Sequence, residues 1–213
     1  MSTGPAVDAP PASGNMEEKK EKTIEKAREY FHLYGYRGAS LSALIADIGI
    51  SKPTFYNYFK NKEELFNTVM LETYNEFHYQ YNQQARSARN AMEKLDLFIT
   101  TFAWFLDTYP IFRDLYRPGN DLLSRWAQSR YSRDFFSEGV EIMRSILEQG
   151  IEEGIFEKSV DVGASSLLLY YLVLTTLSSD PNLFAAPGSP GLAIDARSLV
   201  RIVGRGILVR DQE

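Results

Sequence analysis

Apolar residues recur at spacings of three and four almost everywhere after residue 17, and polar–apolar alternation is scarce, so the chain is expected to be all-α. A first helix from Glu17 to Leu33 opens on the mixed-charge run EEKKEK. It then sets Ile24, Ala27, Tyr30 or Phe31 and Tyr34 on one stripe, with Gly35 as the glycine beyond its end. Ser40 is placed to cap a short helix, Leu41 to Ile48, which Gly49 breaks. Ser51 caps the next, Lys52 to Phe59, with Pro53 in its first turn, where a missing N–H costs little. A fourth helix starts near Asn61, whose spacing to Glu64 suits a cap followed by first-turn acids, and runs towards Ala85.

Beyond it the pattern predicts a helix from Ala91 to Tyr109, a turn at Pro110, a short segment to Tyr116 and a break at Pro118–Gly119. A segment from Asp121 to Tyr131 follows, then a long helix from Ser132 to Glu153 closed by Gly154. An uncharged helix from Asp161 to Ser179, a loop rich in Pro and Gly, and a last helix from Ala193 to Val209 complete the chain.

Composition narrows the classes. With 213 residues, 44% of them hydrophobic, the chain can bury a core, which excludes disorder throughout and a fibrous repeat. The balance of 23 Lys and Arg against 28 Asp and Glu argues against a surface that binds polyanions as a whole, so any nucleic-acid site must be local. The chain has no cysteine and only two histidines, His32 and His78, so no disulfide, thiolate nucleophile, metal site or cofactor is expected, and a cytoplasmic location fits. Residues 1–15, MSTGPAVDAPPASGN, lack the basic and apolar regions of a secretory signal and are expected to form a disordered tail. The uncharged stretch Val162 to Ser179 is short for a membrane span, carries several hydroxyl residues and is flanked by Asp161 and Asp180; it reads as a helix buried by protein.

Two short helices joined by a glycine turn and preceded by a longer one form a helix-turn-helix arrangement, in which the second short helix can enter a major groove. At about 100° per residue, Phe55 and Phe59 share one face of that helix. Pro53, Thr54 and Asn57 fall on the other, with Tyr56 and Tyr58 at its edges and Lys52, Lys60 and Lys62 around it. Such a face can bond phosphates and base edges, with Asn57 suited to adenine and Thr54 to a thymine methyl. The same residues also suit an aromatic core with a solvated lysine rim, and the pattern alone leaves both open.

The segment TIEKAREYFHLYGYRGASLSALIADIGISKPTFYNYFKNKEELFNTVM closely resembles the N-terminal domain of the TetR/AcrR family of bacterial transcriptional regulators. The resemblance lies in Phe31, Gly35 and Tyr36, in the Ser40–Leu41 start, in Ile45, Ala46 and Ile48 through Ser51, in Thr54 to Phe59, and in Lys62 with Leu65. Tyr58 stands where histidine is commonest, Ile48 where alanine is, and Pro53 where glycine is usual. The resemblance implies an N-terminal three-helix helix-turn-helix DNA-binding domain, 16–70, and a C-terminal helical domain, 71–213, that binds a small molecule and dimerises. It further implies that Arg37, Ser40 and Ser42 seat the domain on phosphates, that Lys52, Pro53, Thr54, Asn57 and Tyr58 form the recognition face, and that Tyr56 and Lys62 meet the backbone. Between Met16 and Met70 nine Lys and Arg face eight Asp and Glu, a balance of +1, which leaves −6 for the rest of a chain of net −5. An acid surplus outside the reading head would help orient it on the duplex.

For the C-terminal region the uncharged helix is apolar on many sides, and the last helix carries Leu199, Ile202, Val203 and Ile207 with small residues between them. Leu168 and Leu172 with those four are the candidate dimer contacts, intramolecular packing being the other use of the same stripe. Aromatic residues concentrate where similar proteins hold an effector. Phe98, Phe102, Phe105, Tyr109, Phe112, Tyr116, Trp126, Tyr131, Phe135 and Tyr170 are the candidates for a ligand site, each able to serve equally as core. Arg113 and Arg117 would admit an acidic group, and Asp107, Asp114 and Asp121 a cationic one.

No GxSxG, Walker loop, HExxH or CxxC occurs, and no catalytic residue is expected. The implied function is a ligand-responsive regulator, a repressor that binds a palindromic double-stranded operator as a homodimer and is released by an unidentified small hydrophobic effector. The alternatives are a helical interaction protein and an activator whose DNA affinity no ligand controls.

Overall fold

The computed structural model describes residues 13–115 and 122–178, together with Ser198. All elements among them are helices: α1 (Ser13–Gly38), α2 (Leu41–Ile48), α3 (Lys52–Tyr58), α4 (Lys62–Ala85), α5 (Ala91–Thr108), α6 (Ile111–Asp114), α7 (Leu122–Gln128), α8 (Arg130–Glu152) and α9 (Val162–Ser178). They separate into two compact units, one through Val69 and one from Met70. The expected last helix, Ala193 to Val209, and the expected break at Pro118–Gly119 lie outside the described residues.

Two boundaries of α1 differ from the pattern. It begins at Ser13, inside the segment expected to be a tail, and the pairs Lys22–Glu18 at 2.6 Å and Lys20–Glu17 at 3.8 Å support its opening turns. Nor does it stop at Leu33. Gly35 takes φ 65° and ψ 176°, which breaks the helical run as a glycine can, but the chain then turns again through Gly38, and the Ala39 N–H returns to the Gly35 carbonyl at 3.1 Å.

In the first unit α1 supplies Ile24, Ala27 and Phe31, α2 supplies Leu44 and Ile45, α3 supplies Phe55, and α4 supplies Leu65, Phe66 and Val69; all are buried, as is Phe59 just beyond α3. Phe31 and Tyr36 both meet Phe66 edge-on, with centroids 5.2 Å apart in each pair. Lys26 ties α1 to α2, reaching Asp47 at 3.4 Å as well as Glu29 at 2.9 Å.

The second unit has an aromatic interior. Phe77 of α4 lies 5.5 Å from each of Phe98, Phe102 and Phe105 of α5. The chain of rings continues through Phe112 to Phe135 and on to Trp126. Tyr74 Oη donates to the Phe135 carbonyl at 3.1 Å, and burial, assisted by Glu138, raises the phenol pKa far above its usual range. The long helix was expected to start at Ser132. It starts at Arg130, because Ser129 takes the extended capping conformation and accepts the Ser132 N–H, while the Ser132 hydroxyl is buried and donates to backbone carbonyls.

Near the end of α8 the Phe156 ring folds back over Gly150, so close that a β-carbon there would sit 2.0 Å from the ring. Alanine in place of a helical glycine ordinarily stabilises by about 1 kcal/mol. Here Gly150→Ala is expected to lower stability instead, by about 1–3 kcal/mol through overpacking. Thermal unfolding followed by circular dichroism reads the sign; a raised melting temperature would contradict the packing.

Candidate nucleic-acid interface and effector cavity

The expected reading head lies within the first unit. Ser40 takes an extended conformation and its side chain accepts the Ala43 N–H at 3.3 Å, which starts α2. Gly49, at φ 76°, closes α2, and its N–H and that of Ile50 return to Ala46 and Ile45. Ser51 then caps α3 by accepting the Thr54 N–H at 3.2 Å, and its hydroxyl lies 2.7 Å from the Thr54 hydroxyl. The turn between α2 and α3 is thus built from one left-handed glycine and one serine cap.

Within α3 the two faces separate. Phe55 is 0% exposed and Phe59 2%, whereas Tyr56 is 55% exposed, and Lys52, Pro53 and Asn57 are exposed with it. Thr54 and Tyr58 are half-buried, so they border the open face rather than stand on it. Arg37, Ser40 and Ser42 are exposed. Lys62 is half-buried, with its ammonium 4.7 Å from the centre of the Tyr36 ring. At the start of α4, Asn61 accepts the Glu64 N–H at 2.8 Å and Glu64 in turn accepts the Lys60 N–H at 2.6 Å, the reciprocal cap that the sequence spacing suggests.

Of the residues expected at a ligand site, Phe98, Phe102, Phe105, Phe112, Trp126, Phe135 and Tyr170 are buried in the aromatic interior of the second unit, and Tyr109 and Tyr131 are half-buried. Tyr116 lies outside the described residues. Trp126 brings a polar group into this interior: its Nε1–H is buried and has no hydrogen-bond partner among the described residues. A buried indole N–H ordinarily finds an acceptor, so this donor is available to one. His78 borders the same region, where burial pushes its pKa below the ordinary value against the opposing pull of Glu138 at 3.4 Å.

The sequence reading missed a cleft of about 450 Å³ where the end of α4, the opening of α5 and the middle of α8 meet. Arg86 and Lys94 are its cations. No local signal marks it, since its lining comes from three helices distant in sequence. On α9, Leu168 is 68% exposed and Leu172 41%, with Leu167 and Tyr171 exposed beside them. The other four candidate dimer residues, Leu199, Ile202, Val203 and Ile207, lie outside the described residues. No helix among the described residues is long and apolar enough to cross a membrane.

Comparison with known proteins adds the following. Residues 24–69 match the tetR family of bacterial regulatory proteins. The fatty acid metabolism regulator protein of Bacillus subtilis is 24% identical over 170 residues, covering 77% of this chain and 86% of its own. The ketosteroid transcriptional regulator KstR2 of Mycobacterium tuberculosis shares the fold with a TM-score of 0.64 at 22% identity, over 90% of this chain and 96% of that one. The regulator FadR of Bacillus subtilis, solved in complex with stearoyl-CoA, shares it with a TM-score of 0.69 at 20% identity, over 88% of this chain and 98% of that one.

Proposed function

We propose, for a chain that is a transcriptional regulator of the TetR/AcrR family, that it acts as a repressor: a homodimer places two copies of α3 in successive major grooves and leaves its operator when an apolar effector enters the second unit. The observation that carries the reading is the division of α3. Phe55 and Phe59 anchor one face, and Pro53, Tyr56 and Asn57 are left open on the other with Lys52 beside them. In a dimer the two heads read half-sites about 34 Å apart, which gives a palindromic operator. The effector class follows from the aromatic interior and from the resemblance to a fatty acid regulator and a stearoyl-CoA complex: a molecule with a long acyl chain, carried as a coenzyme A thioester. α4 runs from Lys62 across the boundary at Val69 to Ala85 and is the element through which effector binding would reach the head.

Fluorescence anisotropy on the chain's own upstream DNA, against a scrambled duplex, tests this at two salt concentrations. The native duplex should bind more tightly and lose affinity steeply with salt. Asn57→Ala is expected to cost about 1–3 kcal/mol and to relax one base position, and Tyr56→Phe to weaken all sequences alike. Equal binding to both duplexes, unmoved by either variant, would remove the regulator reading.

A further inference from the structure

The cleft between α4, α5 and α8 falls within the range of roughly 300–1,000 Å³ that small-molecule sites occupy, and its volume is about 450 Å³. Its chemistry is divided. Tyr81, Ile142 and Ile146 make one side apolar, while Arg86 and Lys94 bring two cations, with Asn82 and Ser145 as neutral hydrogen-bonding groups. Of the described residues that line it, none is a carboxylate.

Among the described residues no ion pair holds either cation there. Lys94 Nζ bonds the neutral Oε1 of Gln149 at 2.6 Å. Glu153 feels the Lys94 charge, but its oxygens accept the Ala91 N–H at 2.9 Å and the Gln149 amide at 2.5 Å. Glu93, beside Lys94, is engaged by Arg89 instead. Lys94 is also the fourth residue of α5, where the positive end of the helix dipole disfavours a cation. Helix stability therefore gives no reason for a lysine at this position, and two like charges on one open cleft are best matched by an anion.

One ring stands between the cleft and the interior. Tyr81 lines it and is itself buried, with its centroid 6.3 Å from that of Phe77 and 5.5 Å from that of Phe98. A molecule with a multiply charged head and an apolar tail would find both halves of its chemistry on the two sides of this ring.

We propose that the cleft receives the phosphate-bearing head of an acyl coenzyme A, with Arg86 and Lys94 on the phosphates and the acyl chain passing Tyr81 into the aromatic interior. This rests on the reading of the chain as an effector-released regulator and adds the residues that select a thioester over a free acid. Asn82 and Ser145 donate to the remaining head-group oxygens, and Tyr81, a buried phenol, is the gate.

The test titrates the full-length protein with stearoyl-CoA, coenzyme A and stearate, for the wild type and for Arg86→Ala, Lys94→Ala and Asn82→Asp. Operator binding is measured on the same preparations as a control for folding. Each variant is expected to weaken stearoyl-CoA about tenfold, as loss of a charge-assisted contact does, and to leave stearate unchanged. The difference should shrink as salt is raised. Stearoyl-CoA that binds all variants as it binds the wild type would place the head elsewhere and overturn the proposal, while operator release by the same ligand would keep the regulator reading intact. Equal losses for stearate and stearoyl-CoA would assign the residues a structural role and overturn it too. Failure of stearoyl-CoA to bind a protein that still discriminates its operator would overturn the effector class and this proposal with it, and leave the regulator reading intact; failure to discriminate the operator would strike the underlying function.

Discussion

Replacing Phe55 with alanine is expected to remove operator binding without touching a residue that faces DNA. Its ring is 0% exposed and lies 5.6 Å from Phe59 and 5.4 Å from Tyr56, so it holds both the anchored face and one edge of the open face of α3. Truncation of a fully buried phenylalanine costs about 3–5 kcal/mol. A unit of this size has a stability of similar magnitude, so the first unit should be largely unfolded at growth temperature. Urea denaturation, followed together with anisotropy on the operator, should show both losses in step. Tyr56→Phe is the control: it keeps the ring and should keep the fold. Wild-type operator affinity in a folded Phe55→Ala protein would mean that α3 is not positioned by its core face.

The second large effect is expected on α9. Leu168→Glu combined with Leu172→Glu puts two carboxylates on a face where Leu167, Leu168, Tyr171 and Leu172 are 41–68% exposed in the single chain. If that face is the dimer contact, each carboxylate must lose water without a partner, at a cost of several kcal/mol per ion. The variant should sediment as a monomer. Its operator affinity should fall by a hundredfold or more, because a second half-site no longer adds to the first. In the monomer these residues are already solvated, so the fold itself should persist, which circular dichroism can verify. A double variant that remains dimeric would move the interface elsewhere and leave the apolar face to another role.

Local chemistry explains which parts of this chain can be read without coordinates. Ser40, Gly49, Ser51 and Asn61 each act within four residues of themselves, so the limits of α2 and α3 and the start of α4 follow from residue type and spacing. The start of α8 at Arg130 instead of Ser132 goes with the Ser129 cap and the burial of Ser132, and spacing does not show that burial. At Gly35 the residue type foretold the break but not the further turn after it. For the aromatics the pattern left core and ligand lining open, since either use needs the same residue types; the structure buries Phe98, Phe102 and Phe105 and leaves Trp104 42% exposed. The pairing of Arg86 with Lys94 was not legible, since it arises only when α4 and α5 turn back on each other and α8 lies across them.

The two tryptophans of the chain occupy opposite environments: Trp126 is 1% exposed, edge-on to Phe135, and Trp104 is 42% exposed. Excited together, they should emit as two resolvable populations, a blue-shifted one shielded from iodide and a red-shifted one open to it. An effector entering the aromatic interior would alter the first and spare the second. The protein thus carries its own optical reporter, able to separate occupancy of the interior from adsorption at the surface without any added label.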